Sequence, residues 1–150
     1  MTSFLPQSMT VKNLYEDLIQ KWHSDGICRY IGDNSVLMTN YSQIDLEMAN
    51  RIRKCLTPHF KEVYELKYQR IKPHKYSWAY INWLQTDKII ILPAFGIPED
   101  IEAFEQIEEF IPSYKGNIEM INANDLIIHE GGLNCASWTV EVPFIHNILP

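Results

Sequence analysis

The alternation of hydrophobic and polar residues after residue 26 predicts a short hairpin, a helix and a further strand. Two β-prone runs, Ile27–Ile31 and Ser35–Thr39, flank a Gly-Asp-Asn turn of the kind that joins hairpin strands. Apolar residues at spacings of three and four then predict a helix over residues 41–56, with Ser42 as its N-cap, and residues 61–68 return to a strand. The predicted apolar stripe of the helix is Ile44, Met48, Ile52 and Cys55.

The same order of elements follows in the second half of the chain. Residues 79–95 predict two strands around a Thr-Asp turn, and Pro98 opens a helix whose first turn carries two acidic residues. Pro112 ends that helix, and residues 117–122 are again strand-like. The predicted stripe of the second helix is Ile101, Phe104, Ile107 and Phe110 or Ile111.

Two copies of one ββαβ unit, at about residues 27–67 and 79–122, indicate an α/β fold built from repeats. Residues 68–77 connect the two units. The first 21 residues belong to neither unit and predict a helical extension, which leaves residues 22–150 as the main domain.

Composition narrows the class of protein. With 150 residues, 46% of them hydrophobic and 21% charged, the chain can bury one ordinary core. A net charge of −6 argues against nucleic-acid binding and is compatible with a cationic small molecule. The sequence shows no long apolar run, so we expect no membrane anchor or signal peptide. Three cysteines without metal spacing predict free thiols in a reducing cytoplasm and no bound metal.

One cysteine has the surroundings of a reactive thiol. Cys135 follows Gly131 and Gly132, which permit a tight turn and a close approach of ligand to backbone, and it adjoins the polar Asn134. A free cysteine is also compatible with an inert core position. Cys28 and Cys55 lack such neighbours and are interpreted as structural.

The segment "WHSDG" supplies a second candidate. In an extended segment His23 and Asp25 would face one cleft, which suits proton transfer beside a held cation. The same pattern also fits a surface loop in which the aspartate caps a turn.

A family resemblance joins these candidates. It covers roughly residues 22 to 141, and it points to the C-terminal portion of the bacterial (Porphyromonas-type) peptidyl-arginine deiminase and agmatine deiminase family. The segments that resemble the family, in order, are "WHSDGICRYIGDNSVLMTNYS", "SWAYINWLQTDKIIILPAFGIPED" and "EGGLNCASWTV". The resemblance implies a pentein-type propeller of five ββαβ units, of which about two are present here.

The resemblance also implies roles for individual residues. Cys135 corresponds to the nucleophile, His23 to the general acid/base, and Asp25 to a carboxylate that binds the substrate guanidinium. The implied reaction hydrolyses a guanidine C–N bond of agmatine or peptidyl arginine and releases ammonia, without metal or organic cofactor. The residues expected to line the substrate beside Asp25 are Gly131, Gly132 and Asn134.

The family's upstream units have no counterpart in this sequence, which leaves three interpretations. The chain is a deiminase domain completed by a second copy of itself or by a complementing N-terminal chain. Alternatively, it is an inactive remnant that acts as a small interaction domain. The third interpretation is a thiol domain unrelated to guanidines, in which Cys135 is a redox or structural residue.

Overall fold

The computed structural model describes residues 24–70, 76–129 and 131–138. The predicted N-terminal helix, His23 and the centre of the connector lie outside these residues. So does the end of the chain after residue 138.

The first three strands form one small sheet. Strands β1 (Cys28–Gly32) and β2 (Ser35–Met38) are antiparallel, and β2 pairs in parallel with β3 (Glu62–Glu65). The predicted turn joins β1 to β2 through Asp33 and Asn34, whose φ angles of 48° and 56° lie in the left-handed region. Aspartate and asparagine tolerate that region better than most residues, which explains why this sequence can turn so tightly here.

The helical segment between β2 and β3 is divided at Asp45. Helix α1 (Tyr41–Ile44) precedes it, and helix α2 (Leu46–Leu56) follows it. The Asp45 side chain accepts a hydrogen bond from the Met48 N–H at 3.0 Å and so caps α2. The prediction of one continuous helix capped by Ser42 was therefore wrong, because a better capping side chain lies three residues later.

The break also changes which face of the helix is buried. Of the predicted stripe, Ile52 is fully buried, whereas Ile44 is 58% exposed and Cys55 is exposed. The helical phase restarts after Asp45, so spacings counted from Ile44 do not carry into α2. The buried side chains of α2 are Ala49, Ile52 and Leu56.

The second sheet repeats the topology of the first. Strand β4 (Leu84–Gln85) is antiparallel to β5 (Ile90–Ala94), which pairs in parallel with β6 (Ile118–Asn122). Helix α3 (Pro98–Phe110) connects β5 to β6. Both halves therefore have the predicted order of strand, strand, helix and strand, with the same pairing directions.

The strand predicted to begin at residue 79 is mostly not a strand. Residues Ser77–Ile81 form a buried 3₁₀ helix, and only Leu84–Gln85 pairs with β5. The backbone carbonyls of Ile81 and Trp83 accept hydrogen bonds from the Arg29 side chain. These carbonyls are therefore satisfied by a side chain, and an apolar run that resembles a strand forms a buried turn instead.

Helix α3 begins with a buried carboxylate. Asp100 accepts hydrogen bonds from the N–H groups of Phe95, Gly96 and Ile97, and from the hydroxyl of Tyr80 at 2.6 Å. It thereby satisfies donors that a helix start leaves free. The predicted stripe is only partly correct, because Ile101 is 52% exposed; Ala103, Ile107 and Ile111 are buried.

A shared core connects the two sheets. Leu37 and Leu66 from the first sheet region pack in one buried cluster with Trp83, Leu92 and Ile107 from the second. A smaller cluster beneath α2 contains Val36, Met38, Ile52, Leu56 and Phe60. The two sheets therefore pack together, and the segment that carries residues 77–83 lies in the larger core. The arrangement of such units in a five-unit propeller stays a prediction.

Candidate functional site

Cys135 lies in an exposed turn that follows the glycine pair. The turn covers residues 133–136 and is closed by a hydrogen bond from the Ala136 N–H to the Gly132 carbonyl at 3.1 Å. The Cys135 residue is exposed. A small electrophile can therefore reach this thiol, which is not the case for a cysteine sealed in a core.

Asp25 lies directly beside the thiol. Its Oδ2 atom is 3.0 Å from the Cys135 Sγ, which donates to it, and it also accepts a longer hydrogen bond of 3.4 Å from the Asn134 Nδ2. Asp25 belongs to a 3₁₀ turn, Ser24–Gly26, so the extended segment assumed for residues 23–25 is not what places it. Gly26 packs against Trp78, whose ring would lie 3.3 Å from an added Cβ.

The thiol and the carboxylate perturb each other's ionisation. Burial acts to raise the pKa of Asp25, but hydrogen bonds from Cys135, Asn82 and Asn134 outweigh it, so its pKa lies below the usual value. Burial and the adjacent Asp25 carboxylate raise the pKa of the Cys135 thiol. The site therefore favours an ionised Asp25 carboxylate beside a protonated Cys135 thiol.

Asn82 joins the two segments that carry Asp25 and Cys135, and it was not among the predicted site residues. It is fully buried, and its Oδ1 accepts the N–H groups of Asn134 at 3.1 Å and Cys135 at 3.3 Å. Its Nδ2 donates to the Asp25 carbonyl at 3.4 Å. One signal could have revealed it, since a lone amide inside the apolar run "AYINWL" must find partners when it is buried.

The two glycines before Cys135 have different surroundings. A Cβ on Gly132 would lie 2.2 Å from the Asn82 Oδ1, whereas a Cβ on Gly131 would meet no atom of the described residues within 4 Å. Gly132 is therefore required by the close approach of Asn82, and the expected contact of both glycines with a substrate stays a prediction.

The remaining cysteines lack these contacts. Cys28 lies in β1, and burial raises the pKa of its thiol to about 11. Cys55 is exposed on α2, so its predicted place on the apolar face was wrong. Among the three thiols, the one in contact with a carboxylate side chain is Cys135.

The Arg29 side chain contacts the segment that carries Asn82. The Arg29 guanidinium lies 4.5 Å from the centre of the Trp83 ring, and its Nη1 donates to the Trp83 carbonyl at 2.7 Å and to the Ile81 carbonyl at 3.4 Å. Burial lowers the pKa of Arg29 to about 10, which leaves it charged at neutral pH, and the nearby Asp25 opposes that shift. Arg29 therefore holds both backbone carbonyls that flank Asn82.

Two other kinds of feature are absent from the described residues. None of the helices in residues 24–70, 76–129 and 131–138 is long and apolar enough to cross a membrane. In the same residues, no three side chains among His, Cys, Asp and Glu cluster as metal ligands. His23 lies outside the described residues, so its predicted place beside Asp25 stays a prediction.

Comparison with known proteins places this chain in a family. The family model for Porphyromonas-type peptidyl-arginine deiminases matches residues 9–143, which is most of the chain. The chain belongs to that family. The agmatine deiminase of Stutzerimonas stutzeri (strain A1501) is 30% identical over 67 residues, which amount to 45% of this chain and 18% of that protein.

Solved structures of the deiminase family share the fold. The agmatine deiminase of C. jejuni matches with a TM-score of 0.58 and 18% identity over 76% of this chain and 37% of its own. The agmatine deiminase of Enterococcus faecalis gives a TM-score of 0.57 and 16% identity over 75% of this chain and 38% of its own. The chain thus spans less than half the length of each of these relatives, and the family predicted from its three ordered segments is confirmed.

Proposed function

We propose that this chain carries the thiol side of a guanidino-group deiminase site, which hydrolyses a C–N bond of agmatine or peptidyl arginine. The observation that carries the proposal is the 3.0 Å contact between the Cys135 Sγ and the Asp25 Oδ2 in a member of the deiminase family. A guanidinium carbon is a poor electrophile, so the reaction needs a strong nucleophile, and a thiolate is the strongest available here.

Asp25 serves two purposes in this proposal. Its carboxylate accepts two N–H donors of the planar cation and fixes its orientation beside the thiol. When the cation binds, its positive charge offsets the Asp25 charge that raises the pKa of Cys135, so that pKa falls. The nucleophile therefore ionises in the presence of its substrate.

In the proposed reaction, Cys135 supplies the nucleophile and His23 transfers the protons. The Cys135 thiolate forms a bond to the guanidinium carbon, and a C–N bond breaks as His23 gives a proton to the departing ammonia. His23 then takes a proton from water, which adds to the same carbon. The C–S bond then breaks as the hydroxyl proton of the adduct passes to the released ammonia, and the products are a ureido compound, ammonium, the free thiolate and a protonated His23. No metal or organic cofactor takes part in this proposal.

The proposal includes a partner, because the chain spans less than half of its relatives' length. A second copy of the chain or a complementing N-terminal chain would close the pocket opposite Asp25 and Cys135. The cytoplasm is the proposed location, since a reducing compartment preserves a free thiol.

The test is ammonia release from agmatine, free arginine and an arginyl peptide, measured for wild type, Cys135→Ala, Asp25→Asn and Cys55→Ala. We expect Cys135→Ala to abolish release and Cys55→Ala to retain it. Asp25→Asn should raise KM about 10- to 100-fold, because a hydrogen bond to a charged group contributes about 1.5–3 kcal/mol. Equal background rates for wild type and Cys135→Ala would instead favour an inactive interaction domain.

A further inference from the structure

We propose that Asn82 is a positioning residue, whose buried carboxamide fixes the nucleophile turn against the Asp25 segment and thereby sets the distance between thiol and carboxylate. The importance of this positioning for catalysis rests on the proposed deiminase function. The positioning of Cys135 against Asp25 does not depend on that function.

The contacts of Asn82 reach both segments at once. Its side-chain oxygen accepts the backbone N–H groups of Asn134 and Cys135, and its backbone carbonyl accepts the same Asn134 N–H at 3.1 Å. Its side-chain nitrogen donates to the Asp25 carbonyl. Asp25 and Cys135 are 110 residues apart in sequence, so a tertiary contact is needed to hold them together.

Asn82 is itself held firmly. It is fully buried, and the carbonyls of its neighbours Ile81 and Trp83 are both bound by Arg29. A buried amide with fixed backbone neighbours has few alternative rotamers. The Asn82 carboxamide therefore acts as a rigid reference point for the more exposed turn that carries Cys135.

Gly132 gives an independent sign of this contact. Its backbone approaches Asn82 so closely that an added Cβ would lie 2.2 Å from Oδ1, 2.6 Å from Cγ and 2.8 Å from Cβ of that residue. Real Cβ contacts are not that short, so an alanine at residue 132 must push the turn away from Asn82. At Gly131 an added Cβ would meet none of the residues that the structure describes, so Gly131 provides a matched control.

The positioning can be measured through the influence of Asp25 on the thiol. Among the described residues, Asp25 is the charged group in contact with Cys135. Asp25 also interacts electrostatically with the Arg29 guanidinium. When the turn is held by Asn82, Asp25 disfavours the thiolate. In Asn82→Ala, the turn loses the two hydrogen bonds that the Asn134 and Cys135 N–H groups donate to the side-chain oxygen. The thiol and the carboxylate can then move independently of each other.

The experiment follows iodoacetamide alkylation of Cys135 against pH, with the labelled peptide quantified by mass spectrometry. Four chains are compared, namely wild type, Asp25→Asn, Asn82→Ala and the double variant. In the wild-type background we expect Asp25→Asn to lower the apparent pKa of the Cys135 thiol and thereby to raise its thiolate fraction at neutral pH about tenfold. In the Asn82→Ala background the same change should alter that fraction less than about twofold.

Two controls make the result decisive. Gly132→Ala should abolish the effect of Asp25→Asn as Asn82→Ala does, whereas Gly131→Ala should retain it, and Cys55 in the same samples reports general exposure. An undiminished Asp25→Asn effect in folded Asn82→Ala, or the same response from both glycine variants, contradicts the proposal. If Asn82→Ala does not fold, the comparison of Gly132→Ala with Gly131→Ala tests the proposal in its place.

This assay contains no guanidine, so it separates the two proposals. Loss of coupling in a chain that releases no ammonia supports the positioning by Asn82 and contradicts deiminase activity of this chain without a complementing N-terminal chain. Retained coupling in a chain that releases ammonia supports the deiminase function and contradicts the positioning by Asn82.

Discussion

Arg29 illustrates how much of this site depends on one planar cation. Its guanidinium stacks on Trp83 and donates to two backbone carbonyls, a combination that a lysine ammonium does not reproduce. We expect Arg29→Lys to lower the free energy of unfolding by about 1–2 kcal/mol, measured by urea denaturation. Arg70→Lys is the matched control, because Arg70 is exposed and pairs with Glu99 at 3.3 Å. Similar losses from both changes would argue against this role for Arg29.

Residues with reactive chemistry were easier to predict than the residue that supports them. Cys135 and Asp25 were candidates because of their residue types and neighbours, the family resemblance supplied their expected roles, and the structure brings the two side chains together. Asn82 was predicted only as part of a strand, because an amide within an apolar run carries no chemical signature of its own. Its partners are backbone N–H groups more than 50 residues away, and such contacts follow from tertiary packing that local periodicity does not encode.

At the scale of elements, the ion cluster around Glu65 ties the first helical segment to β3. The Glu65 carboxylate accepts from the Ser42 N–H at 2.6 Å and pairs with Arg53 at 2.9 Å and Lys67 at 3.0 Å. Burial acts to raise the pKa of Glu65, but hydrogen bonds from Ser42 and Lys67 outweigh it, and the pKa is lowered. The carboxylate therefore stabilises the fold at neutral pH.

This cluster predicts a pH-dependent cost for Glu65→Gln. Because the folded pKa lies below the unfolded value, the stabilisation is present above the ordinary glutamate pKa of about 4.3 and is lost as pH falls through the folded pKa. We expect a loss of about 1–3 kcal/mol at pH 7 that shrinks in acid, measured by denaturant unfolding at several pH values. Glu62→Gln, at an exposed position of the same strand, should cost little at any pH. A cost for Glu65→Gln that is the same at pH 7 and pH 3 would contradict this account.

The order of elements was predictable because periodicity and turn residues are local signals. Strands β1, β2, β5 and β6 and helix α3 fall where alternation, the Asp33-Asn34 turn and the proline positions placed them. The break at Asp45 and the 3₁₀ helix at Ser77–Ile81 were missed for one reason. In both places a side-chain hydrogen bond satisfies the backbone, and that competes with the regular element that hydrophobicity suggests.

At the scale of the whole molecule, an apolar strand lies at the edge of the second sheet, as far as the structure describes the chain. Within the described residues, β6 pairs with β5 alone, and its Met120 and Ile121 side chains are 39% and 50% exposed. A strand with free backbone groups and apolar side chains favours pairing with another chain.

We therefore expect the chain to self-associate through β6. Sedimentation equilibrium should show a dimer or larger species at micromolar concentration, and Ile121→Lys should shift it to monomer, because a lysine on an edge strand opposes pairing. Ile44→Lys is the matched control, since Ile44 is similarly exposed at 58% but lies on helix α1 rather than on a strand. Monomer at every concentration would exclude association of this chain with itself and leave a complementing chain as the remaining candidate. If both lysine variants reduced the association equally, the contact would be non-specific and apolar. Backbone pairing along β6 would instead be disrupted by Ile121→Lys alone.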